Sequence, residues 1–379
     1  MARRFGIYVH FPYCAHRCPY CDFAVTTERP PEGRRYLAAL LAELELRAGA
    51  FDGLAPVSVY LGGGTPSLWD PDEVAALLAA LRARLALPAG AEVTIEANPE
   101  STDRARLRAW RAAGVNRVSV GVQSFDAGVL AKLGRRHGPD AAERAIREAA
   151  EELGNVSVDL IYGARRSTVE IARADAARAA ASGAAHVSAY ALTLDPGIMA
   201  EEVPLARMRR EGRLPLPSDD EVAAQAAAIR AALRRAGLRR YEISNFARPG
   251  LESAHNRLYW TAESYLGLGA GAYGCARGEA GSYRYGNLRD ARAYLDAALG
   301  RRSPTAEEDR IAPAAERNER MMLGLRTLEG VPLATLSPIQ SREADRLVRR
   351  RLAVRRRGAL VLTSRGMDLH TSIAERLLE

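Results

Sequence analysis

The chain has 379 residues, 47% of them hydrophobic and 26% charged, which is ordinary for a globular protein and enough for two or three domains with buried cores. Its formal charge of +8 is carried almost wholly by arginine, since Lys132 is the single lysine, and such a surplus suits anionic ligands or membrane surfaces without identifying either. No apolar run reaches the roughly 18 residues a membrane span needs, and the start, Met1-Ala-Arg-Arg-Phe-Gly-Ile-Tyr-Val-His-Phe11, reads as a strand and not a signal peptide, so a cytoplasmic protein is expected.

In chain order, β-branched and aromatic runs predict strands over 5–11, 57–61, 92–97, 117–122, 155–161 and 185–192. Segments of helical period predict helices at 34–49, 71–86, 103–113, 140–153, 168–182 and 218–236, several opening on Ser, Thr or Asp at the N-cap position. Strands alternating with helices define an α/β chain of six βα units, either an open barrel or a doubly wound sheet. In both, ligands gather beyond the C-terminal strand ends. Domain boundaries are expected at 1–237 for this array, 238–289 for a Gly- and Tyr-rich segment, and 290–379 for a small α+β domain of winged-helix-like pattern.

Chemistry concentrates at those strand ends. Cys14, Cys18 and Cys21 follow strand one with the spacing C-x3-C-x2-C, and the chain has only one more cysteine, Cys275. Without export, clustered thiols bind metal more often than they form disulfides. Iron–sulfur clusters are held by thiolates, normally four, and only three are local here. A zinc site completed by His16 or Cys275 stays open on the residues alone. Next come Leu61-Gly-Gly-Gly-Thr-Pro-Ser67 after strand two, Glu96 at the end of strand three, Gln123 at the end of strand four and Asp159 near the end of strand five. Glycines let backbone approach a ligand closely, although a plain strand-to-helix turn would also use them.

The cysteine loop after a first strand, followed by a βα array, resembles the radical S-adenosylmethionine (SAM) superfamily. That resemblance implies a partial (β/α)6 TIM-type barrel and a [4Fe-4S] cluster on Cys14, Cys18 and Cys21. It implies that the fourth iron is left for the amino and carboxylate groups of SAM, which the cluster's electron cleaves to a 5′-deoxyadenosyl radical. It carries Tyr8, Gly63, Gly64, Thr65, Glu96, Gln123, Arg135 and Asp159 to SAM-contacting positions. One departure is that Asp159-Leu-Ile-Tyr-Gly163 continues as Ala164-Arg165-Arg166, where the family has Leu-Pro.

Further on, His255-Asn256-Arg-Leu-Tyr259-Trp260 follows Tyr241-Glu-Ile-Ser-Asn-Phe246. An imidazole is a common haem ligand and aromatics stack on porphyrins, but a lone histidine among aromatics is also an ordinary core residue. The motif resembles the haem-binding signature of the HemW-type haem chaperones, a branch of the oxygen-independent coproporphyrinogen III oxidase-like family, and the resemblance runs from Tyr8 to the last helix. It implies haem at His255, Asn256, Tyr259 and Trp260, delivery to haem-accepting respiratory proteins, peripheral membrane contact and a homodimer. The oxidases of that family carry a further cysteine two residues past the third and an N-terminal extension. Here that position is Phe23 and the loop begins at Cys14, so a carrier is expected and not a coproporphyrinogen oxidase, with a porphyrin-directed or methyl-transferring radical SAM enzyme as the alternative.

Two patterns are set aside. Gly269-Ala-Gly271-Ala-Tyr-Gly274 matches a dinucleotide fingerprint but no amphipathic helix follows. The arginines from Arg346 to Arg357 alternate with Leu and Val and lack interleaved aromatics, so a solvated face and no nucleic-acid partner are expected.

Overall fold

The computed structural model describes residues 3–29, 34–195, 199–200, 202–278 and 281–378. Its first half runs β1 (Arg4–Phe11), α1 (Arg35–Arg47), β2 (Ala55–Gly63), α2 (Pro71–Leu85), β3 (Glu92–Ala97), α3 (Arg104–Ala113), β4 (Arg117–Gln123), α4 (Ala127–Lys132), α5 (Pro139–Leu153), β5 (Val156–Tyr162), α6 (Val169–Ala181) and β6 (His186–Ala191). Neighbouring strands from β1 to β6 pair in parallel. All six expected strands and their helices are present, within a few residues of the expected bounds. Parallel strands are covered on both faces, which is why Val118, Val120, Val156 and Val158 are fully buried. Helix starts are fixed chemically: the Asp70, Asp103 and Thr168 side chains accept from the backbone N–H groups of Asp72, Arg106 and Ile171. Helix ends at Gly114 and Gly154 take the left-handed conformation.

The chain continues through α7 (Pro204–Arg210), α8 (Asp219–Arg235), β7 (Arg239–Arg240), β8 (Asn245–Ala247), α9 (Ala254–Trp260), β9 (Ser264–Leu268), β10 (Tyr273–Gly278), β11 (Gly281–Asn287), α10 (Ala291–Leu299) and β12 (Thr305–Ile311). These strands extend the same sheet on both sides, giving twelve in the order β12-β11-β10-β9-β1-β2-β3-β4-β5-β6-β8-β7. The Gly- and Tyr-rich segment supplies β7 to β11 of this sheet. Its glycines allow close packing: a Cβ on Gly267 would lie 2.0 Å from the Tyr273 carbonyl oxygen. The pattern Gly269–Gly274 forms the turn from β9 into β10, and a strand, not a helix, follows it.

A buried network anchors this extension to α1. Glu43 accepts from the Gly269 N–H (2.9 Å), Asn287 Nδ2 (2.7 Å) and the Tyr294 hydroxyl (2.7 Å), and pairs with Arg47 Nε at 2.7 Å. β12 pairs with β11 and α10 packs on α1, so residues on both sides of the expected boundary at 290 contribute to the elements around the large sheet.

Beyond it lie α11 (Pro313–Leu325), β13 (Val331–Pro332), α12 (Pro338–Arg349), β14 (Ala353–Arg356), β15 (Ala359–Leu362), α13 (Ser364–Met367) and α14 (His370–Leu377). The sheet β13-β15-β14 is antiparallel, and Leu325, Leu347, Leu360 and Leu377 form a separate core. The arginine run spans the end of α12 and β14, with Leu347, Leu352 and Ala353 buried and its arginines turned to solvent. No helix among the described residues is long and apolar enough to cross a membrane.

Candidate functional site

The C-terminal ends of β1 to β6 surround a cavity of about 500 Å³, lined among others by Cys14, Cys18, Cys21, Gly63, Gly64 and Thr65. The cysteine loop leaves β1 and is held as a backbone ladder: Cys14 N donates to Thr26 O (2.9 Å), and Thr26 N to Pro12 O (2.8 Å). From the other side, Gly64 N donates to Phe11 O (2.7 Å) and Thr65 N to Tyr13 O (3.0 Å). This contact explains the third glycine of the run. A Cβ on Gly64 would lie 2.8–2.9 Å from backbone atoms of Phe11, Pro12 and Tyr13, and Gly63 has φ 113° with the His10 ring where a Cβ would project. Glycine here presses two loops together as well as leaving room for a ligand.

Around the thiols, the Thr65 hydroxyl donates to Cys14 Sγ at 3.5 Å, and Arg135 reaches Cys18 Sγ at 3.7 Å. The Arg135 guanidinium is itself fixed by Asn98 Oδ1 (2.6 Å) and Gly121 O (2.8 Å). Burial pushes the Cys14 thiol up to about 11 and raises Cys21, so both are protonated at neutral pH until a metal displaces the protons. The first turn of α7 meets the loop, with Leu205 N donating to Pro19 O at 2.9 Å. Of the two residues offered to complete a zinc site, Cys275 sits in β10, buried and outside the cavity, while His16 lines the cavity with its Nε2 3.1 Å from Gly134 O and 3.8 Å from Cys18 Sγ. Cys14, Cys18 and Cys21 all line the cavity, with the Arg135 guanidinium beside Cys18. Among the described residues no three metal-ligating side chains are drawn together in this conformation, and it is the chemistry of three soft thiols on one loop that fits an iron–sulfur cluster. When bound, such a cluster supplies an electron and an iron with a free coordination position.

Polar groups line the same cavity. Glu96 accepts from the Tyr60 hydroxyl (2.9 Å) and the Gly63 N–H (3.0 Å), and burial raises its carboxyl to about 7, with the Asp159 charge adding to the shift. Asp159 accepts from the Ser119 hydroxyl at 3.0 Å and is likewise raised by burial. Gln123 has φ 68°, and the β4–β5 register shifts between Gly121 and Gln123, a bulge that turns its side chain into the cavity. The structure thus gathers Gly63, Gly64, Thr65, Glu96, Gln123, Arg135 and Asp159 around one space. Tyr8 is the exception, because it lies under the cavity with its hydroxyl on His10 Nδ1 at 2.9 Å. The departure at Ala164-Arg165-Arg166 also lies outside the lining.

Sequence reasoning missed Tyr60, Asn98, Arg117, Ser119, Ser188 and Tyr190, which line the same cavity. The signal was there in the period of two: Arg117, Ser119, Gly121 and Gln123 alternate along β4, and all four face inward. Arg117 is 1% exposed, with its Nε unpartnered.

The motif His255–Trp260 forms α9, not an open pocket. Glu92 accepts from the Ala254 and His255 N–H groups (3.0 and 2.9 Å), fixing the helix start. The His255 ring is 1% exposed, with Nδ1 on Ser58 Oγ (2.9 Å) and Nε2 on the Tyr259 hydroxyl (2.9 Å), and burial lowers its pKa to about 3. Both ring nitrogens are occupied within the barrel, and Arg326 stacks over Trp260 at 4.2 Å. Of the four expected haem contacts only Asn256 lines the cavity, so in this conformation they do not form one exposed haem site.

Fold and site together are those of the radical SAM class, and the family model described as "Radical SAM superfamily" matches residues 8–175. The chain is 39% identical over 378 residues to "Heme chaperone HemW" of Mycobacterium tuberculosis (strain CDC 1551 / Oshkosh), covering 99% of this chain and 95% of that protein. It is 37% identical to the protein of the same name from Escherichia coli (strain K12), over 71% of this chain and 69% of that one. The Escherichia coli structure titled "Coproporphyrinogen III oxidase (HemN) from Escherichia coli is a Radical SAM enzyme" superposes with a TM-score of 0.81 over 100% of this chain and 90% of that one, at 21% identity, a likeness of fold. The chain belongs to the HemW-type haem chaperone family of radical SAM proteins.

Proposed function

We propose that this protein is a haem chaperone that holds a [4Fe-4S] cluster on Cys14, Cys18 and Cys21 and SAM in the adjoining cavity, and delivers haem to acceptor haem proteins. The observation that carries the reading is similarity over 99% of the chain to a relative named as a heme chaperone, combined with an intact three-thiol cavity. Thr65 and Arg135 direct hydrogen-bond donors at the Cys14 and Cys18 sulfurs, while Glu96 and Asp159 offer acceptors to the hydroxyls of a bound nucleoside. Phe23, 62% exposed at the cavity rim where the family's oxidases have a cysteine, favours the carrier over the oxidase.

A second reading, a radical SAM enzyme acting on a porphyrinogen, draws support from the polar groups Glu96, Gln123, Arg135 and Asp159 that line the cavity. Anaerobic incubation with SAM, a reductant and coproporphyrinogen III separates the two. The carrier gives less than one protoporphyrinogen per chain, and many turnovers would establish the enzyme.

A further inference from the structure

Most of the chain's net charge sits in one short segment. Between Pro338 and Arg357 there are eight arginines against two carboxylates, a surplus of six in a chain whose whole formal surplus is +8. Arginine is frequent throughout the sequence, but elsewhere carboxylates nearly balance it. The fold gives these arginines a common setting. In α12 the buried stripe is Gln340, Ala344 and Leu347, while Arg342, Arg346 and Arg349 stand one turn apart on the opposite, exposed face. β14 lies beside this helix, tied to it by the ion pair of Arg355 with Asp345. With β15 it forms a hairpin that turns at Arg357 and Gly358, φ 50° and 78°, and Arg355, Arg356 and Arg357 are all exposed there. The order α11, β13, α12 and hairpin, with β15 central in the sheet β13-β15-β14, follows the winged-helix pattern, where the helix before the hairpin is the one that enters a groove.

Few of these charges are used within the fold. Arg346 pairs with Glu343 at 3.2 Å and Arg355 with Asp345, which engages both carboxylates of the segment. The side chains of Arg342, Arg349, Arg350, Arg351, Arg356 and Arg357 make no hydrogen bond or ion pair among the described residues. Arg357 moreover takes a left-handed turn position that asparagine or glycine fills at lower cost.

We propose that α12 and the β14–β15 hairpin bind double-stranded DNA, the exposed arginine face of the helix lying in the major groove and Arg356 and Arg357 meeting phosphates beside it. A helix about 10–12 Å across fits the B-form major groove of about 12 Å, whereas the major groove of double-stranded RNA is too narrow to be entered. The run carries no aromatic residue, which argues against a single strand, whose bases stack on such rings. A duplex held by its phosphates needs only the guanidinium groups, and unpaired arginines supply them. None of these residues lines the cysteine cavity, so this interface is independent of the haem-carrying reading.

The test is fluorescence anisotropy of a labelled 20-base-pair DNA duplex of mixed sequence, titrated with the full, cluster-reconstituted chain at salt concentrations from 50 to 200 mM. Saturable binding is expected at the lowest salt, weakening with a log–log slope of about −5, at roughly 0.9 for each of six phosphate contacts. Arg356→Glu combined with Arg357→Glu is expected to weaken binding at least tenfold and to bring the slope about two units nearer zero. Arg357→Asn should weaken binding two- to fivefold while the melting temperature holds or rises, since asparagine suits the left-handed turn, and a merely structural arginine would not give that pair of changes. Arg144→Glu combined with Arg147→Glu, the same charge change on exposed positions of α5, should leave affinity within threefold. No saturable duplex binding by wild type at the lowest salt, or equal losses in the α5 and hairpin variants, would overturn the interface. So would tighter binding of the single strand than of the duplex. Full displacement of the duplex by phosphatidylglycerol vesicles at matched phosphate concentration would overturn it too, by making this a lipid-facing surface.

Discussion

Gly64 donates its N–H to the carbonyl oxygen of Phe11 at 2.7 Å, which ties the glycine-rich loop after β2 to the strand end from which the three cysteines depart. A Cβ at Gly64 meets only backbone atoms, and backbone cannot swing aside as a side chain can. Gly64→Ala is therefore expected to cost about 1–3 kcal/mol of stability, the range for overpacking a close contact. Cluster content after reconstitution should fall with it, measured as iron and sulfide per chain. A variant with normal iron content and an unchanged melting temperature would show that the two loops move independently.

Ligand assignment follows from placement. Cys14 lines the cavity, whereas Cys275 is buried in β10 away from it. Cys14→Ala is expected to lose the visible iron–sulfur absorbance, and Cys275→Ala to keep it. The opposite pattern would refute the three-cysteine site.

Glu96 sets a pH dependence. Burial, joined by the Asp159 charge, raises its carboxyl to about 7, so near pH 6 it is largely protonated and above pH 8 ionised. A carboxylate that accepts a ligand hydroxyl binds best when ionised, so affinity for SAM should rise through about pH 7 and level off above it. Isothermal titration of the reconstituted protein across that range checks this, and Glu96→Gln should flatten the profile. For folding the sign is opposite: between about 4.5 and 7 the unfolded chain has lost a proton that the folded chain keeps, so this group's contribution falls as pH rises.

His255 is expected to act in stability. Removing its ring leaves the Ser58 and Tyr259 hydroxyls without their partner in a closed site, so His255→Ala should cost about 2–4 kcal/mol. Because burial lowers its pKa to about 3, the unfolded chain binds a proton below about pH 6.5 that the folded chain refuses. Wild-type stability should then decline as pH falls from 6.5 toward 3. Denaturant melts of both proteins at pH 7 and pH 5 read this out. A folded His255→Ala protein with wild-type stability and no haemin binding would instead make His255 a ligand.

Much of the fold was legible because β1 to β6 are buried on both faces and read as short apolar runs, while caps such as Asp70 and Thr168 mark helix starts. The cavity was legible wherever a polar residue interrupts a strand end, as at Glu96 and Gln123. It was missed at Arg117 and Ser119, which sit deeper in β4 and are recognised only by counting alternate positions. The short helices α4 and α7, with six and seven residues, offered too few turns for a period. The placement of Cys275, and of β9 beside β1, depends on pairings between residues more than 250 positions apart, which no local pattern encodes. The same limit applies to His255, whose partner Ser58 lies 197 residues away.

The most direct test of the central claim is transfer. Reconstituted protein loaded with haemin, freed of excess and mixed anaerobically with an apo haem protein, should bind about one haem per chain. It should then pass that haem on, with the Soret band moving to the acceptor's wavelength at a rate faster than free haemin release alone allows. No saturable loading, or loading with no transfer beyond that passive rate, would contradict the account.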